Sequence, residues 1–300
     1  MKLDRRLAAF RDDLADIRLK GAVEAARYVE GRPARLIEPV VPCLRHPSPD
    51  APLDSEFLFG EPLLVFDEAD GFSWVQSLAD GYVGYVPSHT LGPGGPDATH
   101  VVTAPMALVY GAPSIKSPVL MRLPQMAALA LGPQEQVGSE RVHAVSSGGF
   151  ILAQHVAPVG THEPDYVDVA ARYLGTPYLF GGKSWFGIDC SALVQVALKA
   201  TGYDAPRDSD MQAHAVGEPL DDQTRTFQRG DLVFWRGHVG IMADAATLLH
   251  ANGHHMATAT EPVAKALARL AGLGLTPIAV RRLDASARQR HLSKERADPS

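Results

Sequence analysis

Three residues in the carboxyl-terminal half of the chain are of the types that nucleophilic catalysis by a thiol requires. Cys190 comes directly after an acidic residue, and His238 and His250 follow it along the chain. A thiol becomes an effective nucleophile when a base takes its proton and a further group orients that base. The types of these residues therefore predict a site at which a cysteine attacks a carbonyl group.

The position of Cys190 favours a reactive thiol. Periodicity predicts a helix over residues 191–200, directly after a loop that contains Gly181 and Gly182. The amino end of a helix carries a partial positive charge and free backbone N–H groups, which favour thiolate over thiol and can bind an oxyanion. The alternative is that Cys190 is a small buried core residue, as most free cysteines are.

The two histidines are predicted to share one face of a β-hairpin. Two runs of strand character flank a predicted turn at residues 244–246. With three residues in that turn, Gly240 lies opposite His250, and His238 is the diagonal neighbour of His250. A turn of two residues would reverse the parity and separate the two side chains. The predicted pairing of the histidines therefore depends on the length of the turn.

The patterning of the chain indicates which elements surround these residues. From about residue 33 to 158, short apolar runs alternate with Gly, Pro, Asp and Ser clusters, which is typical of all-β structure. The sequence Pro-Gly-Gly-Pro at 93–96 and a weak repeat at an offset of 65 residues divide this region in two. Beyond residue 160, helical stripes followed by strand patterns predict an α+β domain.

An apolar stripe predicts a helix at the amino terminus, formed by Leu3, Leu7, Phe10, Leu14 and Ile17. Its polar face mixes both signs of charge, which favours docking against the body over binding to a membrane surface. The segment lacks the apolar core of a secretory signal, and no segment reaches the ~18 apolar residues of a membrane span. We therefore expect a cytoplasmic protein with no membrane span.

Composition excludes several classes of protein. The formal net charge of -6 provides no general attraction to nucleic acid, and 21% charged residues with 46% hydrophobic ones are typical of a globular chain. Two cysteines, Cys43 and Cys190, cannot frame a disulfide scaffold. The pair His254-His255 has no acidic or cysteine partner at ligand spacing, so we expect a surface loop, no metal and no cofactor.

Four separated motifs resemble those of the NlpC-type cell-wall cysteine peptidases: Gly175-Thr176-Pro177-Tyr178, Gly181-Gly182, Asp189-Cys190-Ser191 and His238-Val239-Gly240-Ile241. The resemblance covers about residues 165–283 and implies a papain-like α+β fold with a Cys-His-His triad. It makes Cys190 the nucleophile, His238 the general base and His250 the group that orients the base. Tyr178 would donate its hydroxyl to the oxyanion beside the Cys190 backbone N–H. The alternative for Tyr178 is core packing.

The upstream region resembles the bacterial SH3-like domains that precede this catalytic domain in γ-D-glutamyl-L-diamino acid endopeptidases. The matching sequences are Leu58-Phe59-Gly60-Glu61, Gly81-Tyr82-Val83-Gly84-Tyr85-Val86-Pro87 and, in the catalytic domain, Arg207-Asp208-Ser209. In that subgroup the first SH3-like domain closes one end of the cleft, so that only a peptide with a free amino-terminal L-Ala fits.

The resemblance also implies substrate-binding residues. Glu61, Tyr82 and Asp208 would accept the ammonium group of the substrate, because a buried ammonium must be paired with carboxylates or hydroxyls. Further substrate-binding residues would be Asp189, Ser191 and Ser209. The alternatives are that Glu61 is a solvated turn residue and that Asp208 only caps a helix at 210–215.

These predictions combine into a domain plan and a function. The plan has a helical segment at 1–30, SH3-like β-barrels at 31–95 and 96–160, a papain-like peptidase domain at 161–284 and a polar tail at 285–300. The predicted function is hydrolysis of the γ-D-glutamyl-diamino acid bond in murein tripeptides or tetrapeptides during recycling of wall peptides. The alternatives are an exported wall hydrolase or an amide or acyl transferase of the same fold, and a non-catalytic peptidoglycan-binding protein.

Overall fold

The computed structural model describes residues 3–221 and 226–283, and the chain divides into two units at residues 1–159 and 160–300. The polar tail predicted at 285–300 lies outside the described residues. None of the helices in the described residues is long and apolar enough to cross a membrane.

The amino-terminal segment is not the predicted helix. After a turn, it forms strands β1 (Leu14–Asp16) and β2 (Arg27–Val29), which pair in parallel, with a 3-10 helix at Ile17–Leu19 between them. Asp4 and Asp16 each accept a hydrogen bond from the backbone N–H two residues later, a local bond that competes with helix formation. Leu14 is buried with Phe66 and Trp74, whereas Ile17 of the predicted stripe is half exposed.

The next part of the first unit is one antiparallel sheet of seven strands. These are β3 (Arg32–Leu36), β4 (Val40–Leu44), β5 (Leu53–Leu58), β6 (Pro62–Ala69), β7 (Phe72–Ser77), β8 (Val83–Pro87) and β9 (Leu91–Gly92). Their order in the sheet is β5-β4-β8-β7-β6-β3-β9. Alternate residues of β8 are buried, as expected for a strand with one face toward a core, and that core includes Cys43.

The Pro-Gly-Gly-Pro sequence at 93–96 separates this sheet from two smaller ones. Their strands are β10 (His100–Val102), β11 (Met106–Tyr110), β12 (Val119–Pro124), β13 (Ala128–Leu129), β14 (Leu131–Val137), β15 (Glu140–Val145), β16 (Phe150–Leu152) and β17 (Val156–Pro158). Phe59, from the turn after β5, is buried in their core, and its carbonyl accepts a hydrogen bond from Ala128. The two β regions of this unit are therefore in direct contact.

The second unit has helices followed by a sheet, as the α+β prediction requires. Its elements are α1 (Tyr166–Ala171), β18 (Lys183–Ser184), β19 (Gly187–Ile188), α2 (Cys190–Ala200), α3 (Ser209–Ala215), β20 (Glu218–Pro219), β21 (Leu232–Trp235), β22 (His238–Met242), β23 (Thr247–Asn252), β24 (Ala257–Pro262), α4 (Val263–Ala271) and β25 (Ala279–Arg282). Six of the strands form one sheet in the order β20-β25-β21-β22-β23-β24.

Two helices pack on this sheet and complete its core. Helix α2 contacts β22 and β23, and nearly all of its residues are buried because they are small or apolar. Helix α4 is amphipathic: Val263, Ala266 and Leu270 share a hydrophobic core with residues of the sheet, whereas Lys265 and alanines occupy the exposed positions. The sheet and α2 are the elements that carry Cys190, His238 and His250.

Candidate active site

Cys190 is the first residue of α2, where the sequence predicts it. Asp189 is the N-cap residue, and its side chain accepts a hydrogen bond of 2.7 Å from the backbone N–H of Ala192. The same carboxylate accepts from the backbone N–H of Gly181 at 2.9 Å, which ties the glycine loop to the start of the helix. The local sequence therefore sets the position of the thiol through a single capping carboxylate.

A buried ion pair holds this arrangement in place. The guanidinium of Arg207 donates to both carboxylate oxygens of Asp189, at 2.9 and 2.7 Å, and to the hydroxyl of Ser191 at 2.9 Å. Arg207 and Asp189 are both buried. The polar side-chain atoms of Asp189 and Ser191 thus already take part in hydrogen bonds within the domain. Their role in substrate binding stays a prediction.

Burial controls the protonation of Cys190. Together with the smaller effect of the Asp189 charge, it raises the pKa of the thiol to about 12, although the Arg207 charge and the backbone N–H groups of Val239 and Ser191 act in the opposite direction. The helix terminus was expected to favour the thiolate, but desolvation outweighs it. The resting residue is therefore a thiol that needs a base.

The two histidines meet as the predicted hairpin register requires. Strands β22 and β23 pair Ile241 with Leu249, which places Gly240 opposite His250. The Nε2 atom of His238 lies 2.9 Å from the Nδ1 atom of His250. A Cβ atom on Gly240 would lie 2.8 Å from Cδ1 of Leu248 and 3.2 Å from Cβ of His250, so glycine allows both residues of β23 to pack closely here. The predicted base and its orienting group thus form a hydrogen-bonded pair.

Both imidazoles are neutral over the ordinary pH range. Desolvation, with smaller contributions from His250 and Arg269, lowers the pKa of His238 to about 3, and Glu261 acts in the opposite direction. Desolvation likewise lowers the pKa of His250 to about 3, with smaller contributions from Arg269, His255 and His254. Because α2 packs on β22 and the Val239 N–H acts on the Cys190 sulfur, the thiol lies beside a strand whose first residue is a neutral base.

Tyr178 lies close enough to Cys190 for the two groups to interact. Its backbone N–H donates to the carbonyl of Met256 at 3.0 Å, and it forms a bridge with Ile188, two residues before the cysteine. Burial raises the pKa of the Tyr178 phenol, and a negative charge on Cys190 would raise it further. The hydroxyl therefore keeps its proton and can serve as a hydrogen-bond donor.

The structure adds two residues that the sequence analysis missed. The Nε2 atom of His250 lies 3.0 Å from Oε1 of Glu261, and Arg269 pairs with the same oxygen. Glu261 belongs to β24, which pairs with β23 in a register that sets Ala259 opposite His250. Glu261 is thus the diagonal neighbour of His250, and assigning a strand over 257–262 would have revealed it by the same parity argument.

His255, of the adjacent pair His254-His255, has an acidic neighbour, Glu261, that spacing along the sequence did not reveal. Possible ligand atoms of His250, His255 and Glu261 all lie within 4.8 Å of one another. The backbone N–H of His255 is bonded to the Asn252 side chain, and Glu261 is paired with Arg269. The expectation of a metal-free site stays a prediction, although its reason, the lack of an acidic partner, was wrong.

Two of the predicted ammonium ligands lie together in the first unit. Glu61 is buried rather than a solvated turn residue, and its carboxylate accepts bonds from the Leu58 backbone N–H at 3.0 Å and the Ser77 hydroxyl at 2.5 Å. Tyr82 is also buried, and its carbonyl accepts a bond from the backbone N–H of Ser77. Ser77 therefore links the two residues.

The third predicted ammonium ligand lies in the second unit. Asp208 is the N-cap residue of α3, and its side chain makes no capping hydrogen bond. Ser209 is the first residue of the same helix. The roles of Asp208 and Ser209 in substrate binding stay predictions.

A cavity of about 490 Å³ opens beside His238. Its lining includes Asn252, His254, Arg269 and Leu273. A group that leaves from a carbonyl attacked by Cys190 must accept a proton from His238. The cavity is therefore a candidate site for the leaving group.

Comparison with known proteins identifies the family. A model described as the NlpC/P60 family matches residues 175–269. The chain is 32% identical over 229 residues to a protein of Bacillus subtilis (strain 168) named gamma-D-glutamyl-L-lysine dipeptidyl-peptidase, which covers 67% of this chain and 73% of that relative. The chain belongs to the NlpC/P60 family. It is a cysteine peptidase with a papain-like catalytic domain.

Other similarities extend over the upstream region of this NlpC/P60 peptidase. A model described as bacterial dipeptidyl-peptidase Sh3 domain matches residues 43–91. Dipeptidyl-peptidase 6 of Lysinibacillus sphaericus is 26% identical over 69% of this chain and 82% of its own. The crystal structure of an NlpC/P60 family protein from Bacillus cereus ATCC 10987 has a TM-score of 0.69 and 19% identity, covering 83% of this chain and 99% of that one. The chain therefore combines the peptidase domain with an SH3-like domain, and the second SH3-like barrel stays a prediction.

Proposed function

We propose that this peptidase hydrolyses the bond between the γ-carboxyl of D-Glu and a diamino acid in murein peptides that carry a free amino-terminal L-Ala. The observation that carries the proposal is the 2.9 Å contact between His238 and His250 beside the helix that begins at Cys190. The name of the Bacillus subtilis relative supports the choice of bond.

Acylation begins when His238 takes the proton of the Cys190 thiol. The sulfur then attacks the γ-carbonyl carbon, and the resulting oxyanion accepts hydrogen bonds from the Cys190 backbone N–H and the Tyr178 hydroxyl. As the intermediate collapses, the C–N bond breaks and His238 returns its proton to the departing amine. We place the departing diamino acid in the cavity beside His238.

Deacylation repeats these roles with water. His238 takes a proton from a water molecule, which attacks the thioester carbonyl and forms a second oxyanion at the same two donors. Collapse of this intermediate breaks the C–S bond, and the thiolate recovers the proton from His238. The products are L-Ala-D-Glu and a peptide or amino acid with a new free amine.

We assign selection of the free amino terminus to Glu61, Tyr82 and Asp208. Two carboxylates and a hydroxyl are the groups that stabilise an ammonium removed from water. Burial of Glu61 supports this assignment. A site that requires a free amine favours turnover fragments over intact wall, so we propose a role in recycling these fragments in the cytoplasm.

Incubation with three substrates tests the proposal. These are L-Ala-γ-D-Glu-diaminopimelate, the same peptide acetylated on L-Ala, and intact cell wall, with products identified by mass spectrometry. We expect rapid release of L-Ala-D-Glu from the first substrate alone. Equal cleavage of the acetylated peptide would overturn the free-amine requirement, and retained cleavage by Cys190→Ala would overturn the mechanism.

A further inference from the structure

A continuous chain of polar contacts leads from the predicted base to the protein's α4 helix. His238 Nε2 meets His250 Nδ1 at 2.9 Å, and His250 Nε2 meets Glu261 Oε1 at 3.0 Å. Arg269, on α4, donates to the same oxygen of Glu261. His250 is fully buried, and only 10% of the Glu261 side chain is exposed. The contact between His250 and Glu261 is therefore shielded from water.

The two ends of this chain of polar contacts determine which nitrogen atoms of the two histidines carry hydrogen. A carboxylate paired with a guanidinium is an acceptor, so Nε2 of His250 has to carry the hydrogen that it shares with Glu261. A neutral His250 then has a bare Nδ1, which accepts a hydrogen bond. Nε2 of His238 must in turn be the protonated donor, and a neutral His238 is left with a bare Nδ1.

We propose that Glu261 is a positioning residue that sets the tautomers of both histidines and thereby makes Nδ1 of His238 the atom that accepts the Cys190 proton. The inference rests on the proposed function, because it assigns His238 as the base. Without Glu261, either ring nitrogen of His250 could carry the hydrogen. His238 would then spend part of its time with its proton on the wrong nitrogen for accepting one from the thiol.

Glu261 also balances the positive charges around His238 and His250. When His238 takes the thiol proton it becomes an imidazolium whose Nε2–H donates to His250, while His250 keeps its bond to the carboxylate. The other charged or titratable groups that act on the two rings are Arg269, His254 and His255, and each opposes protonation. Glu261 is the group that favours protonation of His238, whereas Arg269 holds the carboxylate in place and opposes protonation.

The fold explains why this carboxylate reaches the buried histidine. Residues 257–262 pair with β23, and Pro262 then ends the strand, so that α4 begins directly after it. Arg269 lies in the last turn of α4, and its side chain extends back to Glu261. The positioning residue and its own partner thus come from two consecutive elements.

The decisive variants are Glu261→Gln, which keeps the size of the side chain and removes its charge, and Arg269→Gln. The matched control is Glu163→Gln, which removes the carboxylate of another Glu–Arg pair, with Arg172, in the same unit. We expect Glu261→Gln to lower kcat about 100-fold with little change in KM, since correct protonation of a general base contributes on the order of 10²–10⁴-fold. Glu163→Gln should leave both constants unchanged.

The pH dependence separates positioning from a structural role. Removing the negative charge in Glu261→Gln should move the acid limb of kcat to lower pH, and removing the positive charge in Arg269→Gln should move it to higher pH. Adding Glu261→Gln to His250→Ala should cost little further activity, because Glu261 acts through His250. Additive losses, or acid limbs that move in the same direction, would overturn the proposal.

A measurement without substrate distinguishes failure of this inference from failure of the proposed function. Imidazole ¹⁵N shifts of the folded protein at pH 7 should show hydrogen on Nε2 of both His238 and His250, and Glu261→Gln should shift His250 toward a mixture of tautomers. Hydrogen on Nδ1 of His250 in the unaltered protein would overturn the inference even if the peptide is cleaved. If these shifts are as expected and no peptide is cleaved, the proposed function fails instead.

Discussion

Cys190 experiences two opposing effects, one from its helix and one from its surroundings. The start of α2 supplies backbone N–H groups that favour a thiolate, whereas removal from water favours the neutral thiol. Because His238 is also desolvated, both members of the pair are neutral at rest. The proton then moves during attack on the substrate, which makes the position of the base more important than a preformed ion pair.

These protonation states predict an unusually acid-tolerant peptidase. Since desolvation lowers the pKa of His238 to about 3, the imidazole remains an unprotonated base well below the ordinary histidine value of about 6.5. We expect kcat/KM to be nearly constant from about pH 4.5 to about pH 7. A pH series with circular dichroism as the control for folding tests this, and an acid limb centred at pH 6.5 or above would contradict it.

Tyr178 supplies a second prediction at the residue scale. Removing its hydroxyl in Tyr178→Phe should lower kcat by about 100-fold and leave KM nearly unchanged, because an oxyanion donor acts mainly in the transition state. Tyr166→Phe is the control, since it removes a hydroxyl that donates to the Gly230 carbonyl and that the proposed mechanism does not use. Equal kcat values for the two variants would instead favour core packing as the role of Tyr178.

The cluster of His250, His255 and Glu261 leads to a prediction about metals. These residues are engaged with His238, Asn252 and Arg269, and the proposed reaction needs no Lewis acid. Dialysis against a chelator should therefore leave kcat unchanged. Loss of activity that zinc restores would show instead that the cluster holds a metal ion.

At the scale of elements, one ion pair connects three segments. Asp189 caps α2, bonds to the glycine loop and pairs with Arg207, which lies just before α3. The position of Cys190 therefore depends on Arg207, a residue that takes no part in the proposed reaction.

Replacing Arg207 should expose this dependence. Arg207→Leu leaves the Asp189 carboxylate buried without its ion-pair partner, which should lower the free energy of unfolding by about 3–5 kcal/mol. Arg172→Leu, which breaks a partly exposed pair with Glu163, should cost at most about 1 kcal/mol because solvent screens that pair. Urea unfolding of both variants gives the comparison, and similar losses would contradict a special role for the buried pair.

At the scale of the whole molecule, the residues that we propose for substrate selection are distributed over the two halves of the chain. Glu61 lies in residues 1–159, whereas Cys190 and Asp208 lie in residues 160–300. An NlpC/P60 domain alone supplies the nucleophile and its base, and the SH3-like region would supply the preference for a free amino terminus.

Glu61→Gln tests this division of roles. The amide can still accept the Leu58 N–H bond, but it cannot neutralise an ammonium, so kcat/KM for the free peptide should fall by about 10- to 100-fold. The rate for the acetylated peptide should not fall, so the preference for the free peptide over the acetylated one should decrease. Glu68→Gln, a change at an exposed carboxylate of β6, is the control. An unchanged preference in Glu61→Gln would remove Glu61 from the substrate site.

Several features of the site were predictable because they depend on short stretches of chain. An acidic cap followed by small and apolar residues is enough to place Cys190 at the start of a helix. A three-residue turn is enough to bring His238 and His250 to one face. The amino-terminal stripe shows the limit of this reasoning, since Leu14 packs with Phe66 and Trp74 of a distant segment rather than along a helix.

The position of Cys190 at the start of a helix and the shared face of His238 and His250 were predictable from the sequence, because caps and hairpin registers are set by neighbours along the chain. Only the tertiary structure decided that Cys190 rests as a thiol and that Glu261 and Arg269 continue the chain of contacts behind His250. Burial and the pairing of β23 with β24 arise when separate segments pack together. The groups that tune the chemistry therefore emerge only with the folded domain.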